Sequence, residues 1–141
     1  MTDSESAGVR LRRRGIRNRP STLRPMPHPL TDQLEVTTEQ TAAALSDAGA
    51  NVIDVREPEE REAGYIEGTR HVELQSLASQ VETIDRDRSV IFYCRVGSRS
   101  LMAAQAFRRA GYDASSMVGG LVRWHEEGRP LAPEGGHVAD H

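Results

Sequence analysis

The residue with the most chemistry within reach is Cys94, the one cysteine among 141 residues, standing in the segment Cys94-Arg95-Val96-Gly97-Ser98-Arg99. A lone cysteine excludes an intrachain disulfide, a two-cysteine redox pair and a zinc site of several thiolates. Two roles remain for it: a nucleophilic thiolate, or a small buried group in the core. All 18 cationic side chains are arginine, which removes Schiff-base chemistry and any mechanism needing a lysine base.

The elements that must position Cys94 are legible on either side of it. Ser89–Tyr93 (SVIFY) is an apolar run without alternation, the mark of a strand buried on both faces. Ser98 to Ala110 follows helical spacing and stops at Gly111. Cys94 therefore stands at the carboxyl end of a strand and at the mouth of a helix N-terminus. Backbone N–H groups there have no intrahelical partner and converge on an anion, and the helix dipole adds about half a positive charge. Arg95 and Arg99 add full charges if their side chains turn inward. Each effect favours thiolate over thiol, and the thiolate is the nucleophile. Gly97 permits the positive φ that a tight cradle around sulfur requires. The chemistry expected is attack by Cys94 on a sulfur atom, leaving an S–S⁻ group held by the same donors.

Short β-branched runs and helical patterns alternate along the rest of the chain. Strands are expected at Gln33–Thr37, Asn51–Val55, Arg70–Glu73 and Ala114–Val118. Thr38 is placed as the cap of a helix running to Ala48, with Ala42, Ala43 and Leu45 inward and Gly49 as its stop. Glu57–Glu62 reads as a helical turn, and Leu74, Leu77, Val81 and Ile84 as the inner face of a further helix. Alternation of this kind implies parallel strands joined by crossovers, hence a three-layer α/β/α domain.

Four ordered segments resemble the rhodanese-like domain family. Cys94 to Ser100 (CRVGSRS) is similar to its active-site loop, and Asp54 to Glu60 (DVREPEE) to its DVREPxE segment. Gly64 to Gly68 (GYIEG) resembles GHIxGA, and Gly119-Gly120 through Trp124 to Gly128 and Pro130 resembles GGxxxWxxxGxP. The resemblance spans about residues 34–131. It implies a five-stranded parallel sheet between helices, a persulfide on Cys94, and a substrate pocket formed by the backbone amides of Arg95, Val96, Gly97, Ser98 and Arg99. The expected activity is that of a rhodanese-type sulfurtransferase. Sulfane sulfur passes from thiosulfate or a small-molecule or protein persulfide to a thiol or cyanide, with no cofactor. Tyr65 stands where the family usually has histidine, and Thr69 where it usually has alanine.

Other chemistry-bearing residues carry less. Asp54 and Arg56 end the second strand and are read first as a brace between loops; the alternative has Arg56 lending positive potential to the pocket. Glu57, Glu59, Glu60 and Glu62 are read as a solvated helix face, with no metal site. His125 is taken as a surface residue, His71 as structural and Trp124 as core. Rival functions are a phosphatase, an arsenate reductase with a related loop, and a non-catalytic interaction domain. A C-x5-R phosphatase loop needs arginine six positions after its cysteine, and that position is Ser100.

Charge divides the chain. Residues 1–30 hold seven arginines against Asp3 and Glu5, a balance of +5, whereas residues 31–141 balance to −8. With few apolar residues and four prolines, residues 1–30 are expected to be a disordered arginine-rich tail. The rhodanese-like domain is assigned to 31–132 and a short mobile end to 133–141. Nucleic acid is not the expected partner, because no aromatics are interleaved among the tail's arginines to stack on bases. No run approaches the roughly 18 consecutive apolar residues of a membrane span. The arginines near the start are followed by no apolar signal region, so the expected location is the cytoplasm. Oligomeric state is left open.

Overall fold

The computed structural model describes residues 33–47 and 49–139, so the basic tail lies outside the described residues. Along the chain come β1 (Glu35–Val36), α1 (Thr38–Ser46), β2 (Ala50–Asp54), α2 (Pro58–Ala63) and β3 (Arg70–His71). After a broken helical segment that includes α3 (Leu77–Gln80) follow β4 (Ser89–Tyr93), α4 (Ser98–Arg109), β5 (Ala114–Met117) and α5 (Gly120–Glu126). The strands form one five-stranded sheet in the order β1-β5-β4-β2-β3, all pairs parallel. The expected fold class is the one observed.

β4 is central, and its apolar run serves two cores at once. Val90, Phe92 and Cys94 pack on one face with Ala103, Ala104 and Phe107 of α4 and with Leu77 and Ile84. Ile91 and Tyr93 point to the other face, against Ala44 of α1 and Leu121 and Trp124 of α5. A strand buried on both sides cannot alternate apolar with polar, which is why SVIFY does not. Phe107 anchors the first core, edge-on to Phe92 and Tyr112 at 4.9 and 4.8 Å between ring centroids.

Three details differ from the sequence expectation. The cap of α1 is Thr37, whose hydroxyl accepts from Gln40 N–H while the Gln40 side chain accepts from Thr37 N–H. The buried residues of α1 are Thr38, Thr41 and Ala44, and Ala43 is exposed. Buried threonine is tolerated because Thr41 donates to the Thr37 carbonyl and Thr38 to Glu127 Oε1. Finally, Leu74–Thr83 is two single 3₁₀ turns flanking the four-residue α3. Ser79 and Thr83 there donate to carbonyls three residues back, a local competition that breaks continuous helix.

The segment after α5 returns across the domain. Ala132 and Tyr65 exchange backbone hydrogen bonds of 2.7 and 2.8 Å, and His137 N–H reaches the Ala63 carbonyl at 2.8 Å. Val138 packs against the α5-side core. Residues 133–139, expected as a mobile end, therefore lie against α2 and the residues that follow it.

Candidate active site

Cys94 follows β4 directly and is fully buried on the α4 side. Its sulfur occupies the place a capping side chain would take. The N-cap of α4 is Gly97, at φ 112° in the left-handed region that favours glycine, and it has no side chain to offer. Cys94 Sγ accepts instead from Gly97 N–H at 3.1 Å and from Ser100 N–H, the third helical residue, at 3.4 Å. These are donors that a helix start leaves without intrahelical partners. Directed at sulfur, they stabilise negative charge there. Of the expected amide cradle, Gly97 is thus brought to the sulfur, and Ser100 joins it from just beyond the expected set.

Beneath the sulfur lies a hydroxyl pair. Ser100 Oγ is 3.5 Å from Sγ, donates to the Gly97 carbonyl at 3.1 Å, and stands 2.7 Å from Ser116 Oγ on β5. Both serines are buried. In the sequence Ser100 is read only as the position where a phosphatase loop needs arginine, and Ser116 is not read as a site residue. The available signal was that two adjacent serines in a buried strand need partners.

The loop is clamped from its other side by α5. Leu121 N–H donates to the Cys94 carbonyl at 2.9 Å and Val122 N–H to the Arg95 carbonyl at 3.0 Å. So close an approach requires Gly120: a Cβ there would stand 2.4 Å from the Arg95 oxygen and 2.7 Å from the Cys94 oxygen.

The arginines take other positions than a simple inward turn. Arg99 forms a bidentate pair with Glu60, at 2.8 and 3.0 Å. That hydrogen bonding, against some desolvation, raises the guanidinium above its ordinary pKa. Glu60 is fully buried and its Oε2 also accepts from Glu57 N–H, which corrects the expected solvated face at that position, while Glu59 and Glu62 are exposed. A carboxylate can be buried there because Arg99 faces it. Arg95 directs Nε to the Ala139 carbonyl at 3.2 Å. Val96 is exposed at the tip of the loop.

Asp54 and Arg56 make a buried brace. Arg56 donates to both Asp54 carboxylate oxygens, at 2.9 and 2.8 Å, and to the Gly64 carbonyl at 2.7 Å. Burial opposes the Arg56 charge, but Asp54 outweighs it and the pKa is raised. His71 Nε2 bonds the Arg56 carbonyl at 2.7 Å, while His125 is exposed and Trp124 buried.

With this geometry established, comparison with known proteins is decisive: the model of the rhodanese-like domain matches residues 37–127. The chain belongs to the rhodanese-like domain family. It is 31% identical over 101 residues to the putative sulfurtransferase YtwF of Bacillus subtilis, covering 69% of this chain and 98% of that protein. Identity to the thiosulfate sulfurtransferase GlpE of Pseudomonas aeruginosa is 31% over 96 residues, covering 67% and 87% respectively. A crystal structure of a rhodanese-related protein from Thermoplasma volcanium superposes with a TM-score of 0.65 at 26% identity, over 70% of this chain and 96% of that one.

Two departures from the rhodanese-like pattern are absorbed locally. Tyr65 lies under the Arg61 guanidinium, 4.1 Å from it to the ring centroid. Thr69 donates to the Ile66 carbonyl at 2.6 Å and sits 3.2 Å from Tyr93 Oη, which also accepts from Ile66 N–H at 3.1 Å. Burial first, and the Asp54 charge second, push the Tyr93 phenol up to about 12.

Proposed function

We propose that this protein is a sulfurtransferase in which Cys94 carries sulfane sulfur as a persulfide. The observation that carries the proposal is the Cys94 sulfur in the capping position of α4, with Gly97 and Ser100 N–H directed at it. Family membership and the named sulfurtransferases among the relatives support the reaction class.

In the loading step the Cys94 thiolate attacks the outer sulfur of thiosulfate. A Cys94 S–S bond forms, the donor S–S bond breaks, and sulfite leaves with the electron pair. In the discharge step cyanide or a thiolate attacks the terminal sulfur, the Cys94 S–S bond breaks, and the electron pair returns to Sγ. With cyanide the product is thiocyanate. With Gly97 N–H on Sγ, the remaining loop amides of Arg95, Val96, Ser98 and Arg99 are assigned to the terminal sulfur, and the Asp54–Arg56 brace to holding the neighbouring loop. Burial of Cys94 suits a slender sulfur terminus, whether of thiosulfate, a small persulfide or a protein persulfide. A single exchanging thiol without a resolving cysteine fits a reducing compartment such as the cytoplasm.

Steady-state transfer from thiosulfate to cyanide, assayed beside aryl phosphate hydrolysis, tests this. Thiocyanate should form in the wild type and not in Cys94→Ser. Phosphate release that depends on Cys94, without thiocyanate from any donor, would assign the loop to phosphatase chemistry.

A further inference from the structure

We propose that the Ser100 hydroxyl is a catalytic hydrogen-bond donor to the sulfur anion that leaves during discharge, held ready by Ser116. The inference rests on the persulfide reading above and adds to it a division of labour between the two half-reactions.

The geometry supplies a donor that can change direction. Ser100 Oγ lies between three groups: Cys94 Sγ at 3.5 Å, the Gly97 carbonyl at 3.1 Å and Ser116 Oγ at 2.7 Å. A hydroxyl has one proton to give and two lone pairs with which to accept. When Cys94 is a thiol, its S–H points to Ser100 Oγ, and the Ser100 proton goes to the Gly97 carbonyl. When Cys94 is a thiolate, Sγ has no proton to offer, and the Ser100 proton can rotate onto it. Ser116 then donates to Ser100 Oγ, so the rotated hydroxyl keeps an acceptor contact within the dry core. In the persulfide, Sγ is a neutral bridging atom and the charge sits on the terminal sulfur. The Ser100 proton is best placed on Gly97 again.

The hydroxyl thus stabilises Sγ as an anion and does little for Sγ within the persulfide. This asymmetry acts unequally on the two steps. In discharge Sγ is the leaving group, and a better stabilised sulfur anion leaves faster. In loading Sγ is the attacking anion, and a hydrogen bond that steadies it gives the attack no comparable advantage. The backbone donors Gly97 and Ser100 N–H are fixed; the hydroxyl alone can follow the charge. Burial of all three side chains strengthens the effect, because water does not compete.

The experiment separates the half-reactions on the full chain. Loading by thiosulfate is followed by rapid quench and intact mass. Discharge is followed by mixing the isolated persulfide form with cyanide and reading thiocyanate. Ser100→Ala should slow discharge by roughly ten- to hundredfold, the weight of one hydrogen bond to a charged group, and change loading by less than about threefold. Ser116→Ala should slow discharge in the same sense by a smaller factor, and it carries the test if Ser100→Ala fails to fold. Equal slowing of both steps, or undiminished discharge, would overturn the role of the hydroxyl while leaving the persulfide intact. A wild-type protein that gains no sulfur from any donor would overturn the persulfide reading itself, and this inference with it.

Discussion

The α-carbon of Gly120 faces the Arg95 carbonyl so closely that a β-carbon there would lie 2.4 Å from its oxygen. This approach lets Leu121 and Val122 at the start of α5 hydrogen-bond the Cys94 and Arg95 carbonyls. The loop bearing the nucleophile is thereby fixed from outside by an element that contributes no atom to the sulfur.

Gly120→Ala should therefore damage the site from a distance. The clash is with backbone, and Gly120 itself is at φ 60°, so the neighbours cannot yield cheaply. We expect a stability loss of about 2 kcal/mol or more and a fall in thiosulfate:cyanide turnover of at least about tenfold. Urea unfolding and steady-state rates measure the two. A variant as stable and as active as the wild type would show that α5 does not hold the loop.

Arg99 and Glu60 make a different prediction. Because the Arg99 guanidinium is matched by a buried carboxylate, its removal takes a bidentate cationic partner from a negative charge in the core. Arg99→Ala should cost roughly 1–3 kcal/mol, allowing for the partial exposure of Arg99. Adding Glu60→Gln should restore part of the loss, since a buried neutral amide depends less on a facing guanidinium than a carboxylate does. Non-additivity in a double-mutant cycle checks the coupling; strict additivity would refute it.

How far the molecule was legible in sequence follows from the range of each interaction. SVIFY, NVIDV and the glycine stops Gly49 and Gly111 gave the strands and their alternation with helices, because burial on both faces leaves a local signature. Cys94 and Gly97 were legible for the same reason: strand end, turn and helix start are contiguous. The pairing of Glu60 with Arg99 was not, since 39 residues separate them and PEEREA has the composition of a solvated helix. Nor was the Ser100–Ser116 contact, which exists only because β5 lies beside β4. The cap of α1 slipped by one residue because Thr37 and Thr38 are equally good capping types, and the Gln40 side chain decided between them.

Tyr93 should give the fold a pH limit. Its folded value of about 12 lies above the roughly 10 of an unfolded tyrosine. Between these values the unfolded chain has lost the phenolic proton and the folded one retains it. The stabilisation is thus complete below pH 10 and is lost as pH rises toward 12, by roughly 2–3 kcal/mol in all. Urea unfolding from pH 9 to 12 should show this decline in the wild type and a flatter one in Tyr93→Phe. Parallel curves would remove Tyr93 as its cause.

The intact mass of the protein after incubation with thiosulfate reads the Cys94 persulfide itself. A persulfide gives a gain of about 32 Da, one sulfur atom, located on Cys94, reversed by cyanide and absent in Cys94→Ser. An unchanged mass with thiosulfate and with small persulfide donors would contradict it.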